Sequence, residues 1–242
     1  IRYKKFHQER KGKTELPPIN YGCGMKYIPL DSVNFNSEII KDKLFAFKIF
    51  DALGIKYPEL IKNPAEYDDC FIGRKNNSSQ GQGIVKFKAK SQKWDQYNCD
   101  FFVKYINGVK EMRVHVWGEH VLLELNKDFS KNQHNFIRNF HNGSKLVPSC
   151  IDHPERELIL KACKDVINYC GLTYGAVDII VDDKDDWYFL EINSAPKLSW
   201  LYAFIYAEFI NKFYNLDIEF KHYIDWKELT VKPIPETFFW KF

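Results

Sequence analysis

Apolar and polar positions follow two periods along this chain, and each period predicts a different kind of element. From Ala176 to Val181 the residues form a nearly unbroken apolar run with one carboxylate in it, Asp178. Five polar residues, Asp182 to Asp186, separate it from a second run, Trp187 to Ile192, which again carries a single acid, Glu191. Runs of this kind, bounded by turn formers, predict two strands joined as a hairpin. Ala176, Asp178 and Ile180 then share one face, and Val177, Ile179 and Val181 the other. A second hairpin is predicted upstream. One strand enters through Phe71 and Ile72 and ends at Arg74 and Lys75, a loop runs from Asn76 to Gly83, and a strand leaves over Ile84 to Phe87.

Elsewhere the period is helical. Ile40, Leu44, Phe47 and Ile49 or Phe50 line one face of a helix that Ser37 is placed to cap and Gly54 to end. Pro154 to Cys170 predicts another, ending at Gly171, with Cys163 and Cys170 on its apolar face and hence in the core. Trp200, Tyr202, Phe204, Tyr206, Phe209 and Phe213 recur at mixed helical spacing, a pattern of core packing. Pro233 and Pro235 exclude a helix near the end of the chain and predict an extended, packed tail.

An acid inside an apolar strand is costly unless a cation neutralises it. Two such acids on adjacent strands, with the amide of Asn193 two residues on, form an oxygen donor set suited to a hard cation such as magnesium beside a polyphosphate. The alternative places Asp178 and Glu191 on the wet face of an ordinary hairpin. The Asn76 to Gly83 loop also has two readings. Its small residues let backbone N–H groups approach phosphate oxygens, with Arg74 and Lys75 supplying charge, or it is simply a hairpin tip. It fits neither a P-loop nor a dinucleotide fingerprint, because the wrong residues stand at the required spacings and a strand follows. Glu111 and Arg113 point the same way from one strand, either towards a ligand or into cross-strand ion pairs. The segment from Lys127 to Ser144, rich in Asn, Lys and His, reads as a surface loop.

Composition narrows the class. At 242 residues the chain can bury a substantial core. Its six cysteines show no C-x-x-C pairing, no run reaches membrane-span length, and no secretory pattern opens it, so a cytoplasmic enzyme is expected. The net charge of +3 is modest. Arg2, Lys4, Lys5, Arg10, Lys11 and Lys13 crowd the start, which reads as a solvated terminus rather than a nucleic-acid arm. There is no nucleophile elbow and no Cys and His pairing for covalent catalysis.

Taken in order, these segments resemble the ATP-grasp superfamily of carboxylate-amine ligases, particularly the ribosomal-protein glutamate ligase and peptide-modifying members, from Asn34 onward. The resemblance rests on the first-helix stretch at 36–60, the Gly-rich hairpin, the hinge stretch at 100–127, His134 to Asn139, and the Asp178, Glu191, Asn193 set. It implies an α+β fold in which two α/β subdomains grip ATP. Residues 1–36 then correspond to a reduced N-terminal lobe, with Gly22 and Gly24 allowing a tight turn near the substrate. Residues 37–106 correspond to a nucleotide lobe and 107–242 to a metal and substrate lobe. By the same resemblance Lys43 and Arg74 reach the phosphates, and Ser79, Gly81 and Gly83 belong to the flap over them. Val103, Lys104, Tyr105 and Ile106 form the hinge against adenine, Leu190 packs on the ring, and Glu111 binds the ribose. Arg113 and Arg138, with Asn139, approach the transferred phosphoryl group. Asp178, Glu191 and Asn193 hold magnesium, two ions in this family, for which manganese can substitute. The implied reaction joins an amino acid, peptide or protein carboxylate to an amine through an acyl phosphate, releasing ADP and phosphate. An ATP-grasp phosphotransferase and a non-catalytic binding module are the alternatives. Crowding of acids at the metal set also predicts that neutralising one of them relieves repulsion.

Overall fold

The computed structural model describes residues 19–21, 33–78, 82–91, 93–131, 136–138, 142–196, 198–215, 222–225 and 230–233. A 3-10 helix over Phe35–Lys41 leads into α1, Lys43–Ala52. The strands β1, Phe71–Arg74, and β2, Val85–Phe87, form the first predicted hairpin, and β3, Phe101–Lys104, pairs on the other side of β1. A second, five-stranded antiparallel sheet follows. It consists of β4, Gly108–Trp117, β5, His120–Asp128, β6, Lys145–Pro148, β7, Tyr174–Asp182, and β8, Trp187–Asn193, in the order β6-β5-β4-β7-β8. The helix α2, Arg156–Tyr169, precedes β7, and α3, Trp200–Phe213, follows β8. Two short strands, β9, His222–Asp225, and β10, Thr230–Pro233, pair near the end, so Pro233 lies in extended backbone as expected; Pro235 is outside the described residues.

The larger sheet is covered on both sides, which explains why β7 is an apolar run rather than a strict alternation. Val177, Ile179 and Val181 on β7 pack with Met112, Val114 and Val116 on β4 against α1 and α2, through Phe47, Phe50, Ile159, Cys163 and Ile167. The opposite face, at its Trp117 and Tyr174 end, is covered by Tyr202, Ile205, Tyr206 and Phe209 of α3. Farther along, that face is polar, and Asp178 lies within it at 5 % exposure. Burial excludes the wet-hairpin reading.

Three expectations need correction. The first helix is not continuous from Ser37, because Asp42 adopts extended backbone and its side chain accepts from the Phe45 N–H, capping α1 one residue before Lys43. Ser37 is buried and accepts from the Asn20 side chain instead. Gly54 does end α1, at φ +65°, a conformation that carries no penalty without a Cβ. Lys127 is no loop residue, since it lies on β5 and is partly buried. Phe213, the last aromatic of α3, is 52 % exposed rather than core.

Asn34 ties the entry of the fold to β7. It sits in the left-handed region at φ 60°, and its side-chain oxygen accepts from the N–H groups of Thr173 (2.7 Å) and Tyr174 (3.0 Å). Its amide donates to the Tyr174 carbonyl at 2.7 Å. On β4, His115 is fully buried, with Nδ1 2.9 Å from the Tyr206 hydroxyl. Burial first, and then the neighbouring Arg113 charge, push its pKa down to about 3.

Asn34→Ala should lower stability by about 2–4 kcal/mol in urea denaturation, because buried backbone donors lose their acceptor and Ala is strained at this φ. His115 titrates near 6.5 when unfolded and about 3 when folded, so its contribution is complete above the unfolded value and declines as pH falls from there. From this residue the protein should be about 2 kcal/mol less stable at pH 5 than at pH 7. Parallel denaturation of His115→Gln should show a pH 5 deficit smaller by that amount.

Candidate functional site

The polar part of the larger sheet is a set of cross-strand rows in which charges of opposite sign stand side by side. Arg113 on β4 is directly opposite Asp178 on β7, which is opposite Glu191 on β8. The Arg113 guanidinium forks onto Asp178, Nε to Oδ1 at 2.5 Å and Nη2 to Oδ2 at 2.7 Å. Burial alone would raise the pKa of Asp178, but Arg113, aided by Lys127, holds it well below the usual carboxylate range. Two residues earlier on β4, Glu111 accepts from Lys127 Nζ at 2.6 Å and from Arg138 Nη1 at 3.3 Å. Burial disfavours the Lys127 ammonium, and Glu111 beside it more than offsets this, leaving its pKa raised.

Two β-bulges produce these rows. Between His115 and Val116 the β4–β5 register shifts by one residue, bringing Lys127 rather than Asn126 across from Glu111. Between Asp178 and Ile179 the β7–β8 register shifts likewise, so Leu190 is the extra residue and Glu191 comes to face Asp178. Phe189 and Ile192 both reach the core, although strict alternation would send them to opposite faces.

Arg74 from the smaller sheet and Lys43 from α1 meet this face. Arg74 Nη2 is 3.7 Å from Glu191 Oε2, and Arg74 Nε is buried with no hydrogen-bond partner among the described residues. Lys43, at the first position of α1, donates to the carbonyls of Asn76 (3.1 Å) and Ser78. Burial lowers its pKa, with Glu191 opposing. Asn76 also accepts from the Leu44 N–H through its side chain, so the root of the Gly-rich loop is tied to the start of α1. Gly83 lies at φ +68° against Lys75; Ser79 and Gly81 are outside the described residues.

The hinge Val103 to Ile106 connects the two sheets. The Lys104 N–H donates to the Glu59 carbonyl and that of Tyr105 to the Cys70 carbonyl, so these two backbone donors are committed within the fold. Lys86 sits over the Tyr105 ring at 3.3 Å. Arg138 is held firmly: Nη2 donates to the Gly108 carbonyl at 2.7 Å and the guanidinium lies 3.9 Å from the Phe129 ring centre. A Cβ on Gly108 would come within 2.3 Å of Ile180, so only glycine fits there. Asn139 is outside the described residues.

The structure therefore brings together Lys43, Arg74, Glu111, Arg113, Arg138, Asp178, Leu190, Glu191 and Asn193. Sequence reasoning missed Lys127, placed by a bulge. It also read the site as crowded with acid, and this is overturned, because five cations (Lys43, Arg74, Arg113, Lys127, Arg138) accompany three carboxylates (Glu111, Asp178, Glu191). Glu111 and Arg113 both engage in cross-strand ion pairs. No three His, Cys, Asp or Glu side chains converge as metal ligands among the described residues. The oxygen set of Glu191, Asn193 and Asp178 nevertheless fits a hard cation: the Glu191 side chain is 32 % exposed, and Asn193 Nδ2 is 3.4 Å from Glu191 Oε1. Asp178 can join only by sharing its oxygens with Arg113.

Solved structures share this fold at low identity. An ATP-grasp ligase associated with ribosomally made peptides from Chryseobacterium gregarium, complexed with ADP and a leader and core peptide, superposes with TM-score 0.51 at 20 % identity, over 72 % of this chain and 56 % of that one. The ATP-grasp ligase PsnB with a minimal precursor gives TM-score 0.50 at 18 % identity, over 68 % and 55 %. N5-carboxyaminoimidazole synthetase from Staphylococcus aureus with ADP gives TM-score 0.52 at 16 % identity, over 67 % and 47 %. The chain thus spans about half the length of these relatives, and no curated protein matches it. No helix among the described residues is long and apolar enough to cross a membrane. The RimK-like ATP-grasp domain family matches residues 36–212, which contain both sheets and every charged residue of the site, and the chain belongs to that family.

Proposed function

We propose that this chain binds ATP with magnesium between its two sheets and joins a carboxylate to an amine. The observation that carries this reading is the buried Arg74, whose Nε has no hydrogen-bond partner among the described residues while Lys43 and Glu191 flank it. A desolvated guanidinium with an uncommitted donor is costly until an anion meets it, and polyphosphate supplies that anion. Lys43 from the start of α1 and Arg74 from the smaller sheet bind its oxygens, Ser79, Gly81 and Gly83 cover them, and Val103 to Ile106 with Leu190 enclose the base. Glu111 accepts from the ribose while remaining paired with Lys127. Magnesium, held by Glu191 and Asn193 with Asp178, would offset phosphate charge.

In this reading a substrate carboxylate oxygen attacks the γ-phosphorus, the bond to the bridging oxygen breaks, and ADP leaves. The amine nitrogen then attacks the acyl carbon and phosphate departs, taking the C–O electron pair, while the amine proton passes to solvent. Arg113 and Arg138 stabilise charge on the transferred group. An amino acid, peptide or protein carboxylate is favoured because one structural relative is complexed with a leader and core peptide and another with a minimal precursor. Residues 37–106 correspond to the nucleotide lobe and 107–242 to the metal and substrate lobe.

Lys43→Ala and Arg74→Ala should each weaken ADP binding by about 1.5–3 kcal/mol, the worth of a charge-assisted hydrogen bond. Calorimetric titration giving wild-type affinity in both variants would sink the site. Glu191→Gln should abolish ATP-dependent amide formation with little change in melting temperature, since that carboxylate is partly exposed and loosely paired. Asp178→Asn should instead cost about 2–4 kcal/mol of stability by leaving the buried Arg113 half-paired. A stability gain in Asp178→Asn would restore the repulsive picture.

A further inference from the structure

Beyond Asp178 the polar face ends in a stack of three rings. Trp117 and Tyr174, cross-strand partners on β4 and β7, lie 4.9 Å apart with 15° between their planes, and Tyr21 lies on Tyr174 at 5.9 Å and again 15°. The inner two rings are buried, whereas Tyr21 is 40 % exposed. The stack therefore runs from core to surface and ends in an open ring.

That ring is held in place from several directions. Its hydroxyl donates to the Pro196 carbonyl, three residues past Asn193. The preceding Asn20 is buried, donating to the Asn34 carbonyl at 2.9 Å and to Ser37 Oγ at 2.8 Å, while its own carbonyl accepts from the Tyr174 hydroxyl at 2.6 Å. Between Tyr174 and Asp178 on the same face of β7 stands only Ala176, which is fully buried, so the two ends of this row are one short residue apart. Arg113 is close enough for its charge to act on the Tyr21 phenol, although burial dominates there and pushes the phenol pKa up. The hydroxyl is thus a fixed anchor rather than a proton donor at neutral pH.

We infer that Tyr21 is the platform of the acyl-substrate subsite: a planar group next to the reacting carboxylate lies on its open face while the carboxylate is directed to Arg113. A ring already fixed in orientation loses little entropy on receiving a flat ligand, and parallel offset contact suits aromatic and other π surfaces. The inference rests on the ligase reading and adds the substrate class, a carboxylate carrying a planar group rather than a short aliphatic acid.

Benzoate and acetate serve as probes, titrated by saturation-transfer NMR into the full chain saturated with ADP and magnesium. Tyr21→Ala should weaken benzoate by about 2- to 12-fold, the range for one aromatic contact, and leave acetate unchanged. Tyr21→Phe, which keeps the π face and loses only the anchor to Pro196, should weaken benzoate less than Tyr21→Ala does. Should Tyr21→Ala fail to fold, Tyr21→Leu, which covers Tyr174 without a π face, gives the same reading. Equal benzoate affinity in wild type and Tyr21→Ala or Tyr21→Leu, or no benzoate binding to wild type, overturns the platform. ADP affinity recorded in the same samples keeps the two failures apart: lost ADP binding in wild type refutes the nucleotide site, and the benzoate comparison still reports on the stack.

Discussion

The ion pair between Arg113 and Asp178 is the constraint around which the rest of the molecule is arranged. Both groups lie on central strands of a sheet covered on both sides, where neither charge is tolerable alone. Each therefore requires the other, and the pairing fixes the β4–β7 register from Lys110 to Trp117. Once those two strands are locked, the neighbouring rows inherit positions for Glu111, Lys127 and Glu191. Alternating charge across a sheet makes a polar surface stable enough to remain inside a fold: Arg113, Lys127 and Arg138 balance Glu111, Asp178 and Glu191 there, and Lys43 and Arg74 opposite supply the site's surplus of positive charge.

Much of this was legible in the sequence because it depended on local pattern. The two hairpins at 71–87 and 174–193, the amphipathic α2, and the chain direction at Gly54 follow from runs, turn residues and periodicity. What was not legible was anything set by a one-residue register shift. Lys127 read as part of a loop because the segment it opens is rich in Asn, Lys and His, and its place beside Glu111 needs the bulge, since strict pairing across the Trp117–His120 turn would put Asn126 there. The supposed acid crowding failed for a related reason, since cations from three separate strands and α1 converge only after the sheets assemble. A signal for the second bulge was present in retrospect. Phe189 and Ile192 are apolar at a spacing of three, which a regular strand cannot send to one side.

The break at Asp42 shows a local rule acting at a functional position. A helix continuing through from Phe35 would bury the first amides of α1 within its own ladder. Capping by Asp42 opens a new helix start there, beside Asn76 and Lys43. The positive end of the helix dipole and the Lys43 charge are then presented together. The same residues that begin α1 also hold the root of the Gly-rich loop, so the geometry of one is inherited by the other.

The bulge at Leu190 has a consequence for how this family can vary. Because Leu190 is the surplus residue opposite Asp178, it is the one position in β8 whose removal leaves every later pairing intact. Deleting any neighbour would carry Phe189 or Ile192 out of the core or turn Glu191 away from Asp178. Length differences among related chains should therefore collect at this single point of the strand, where an ungapped comparison would misplace the acid by one residue.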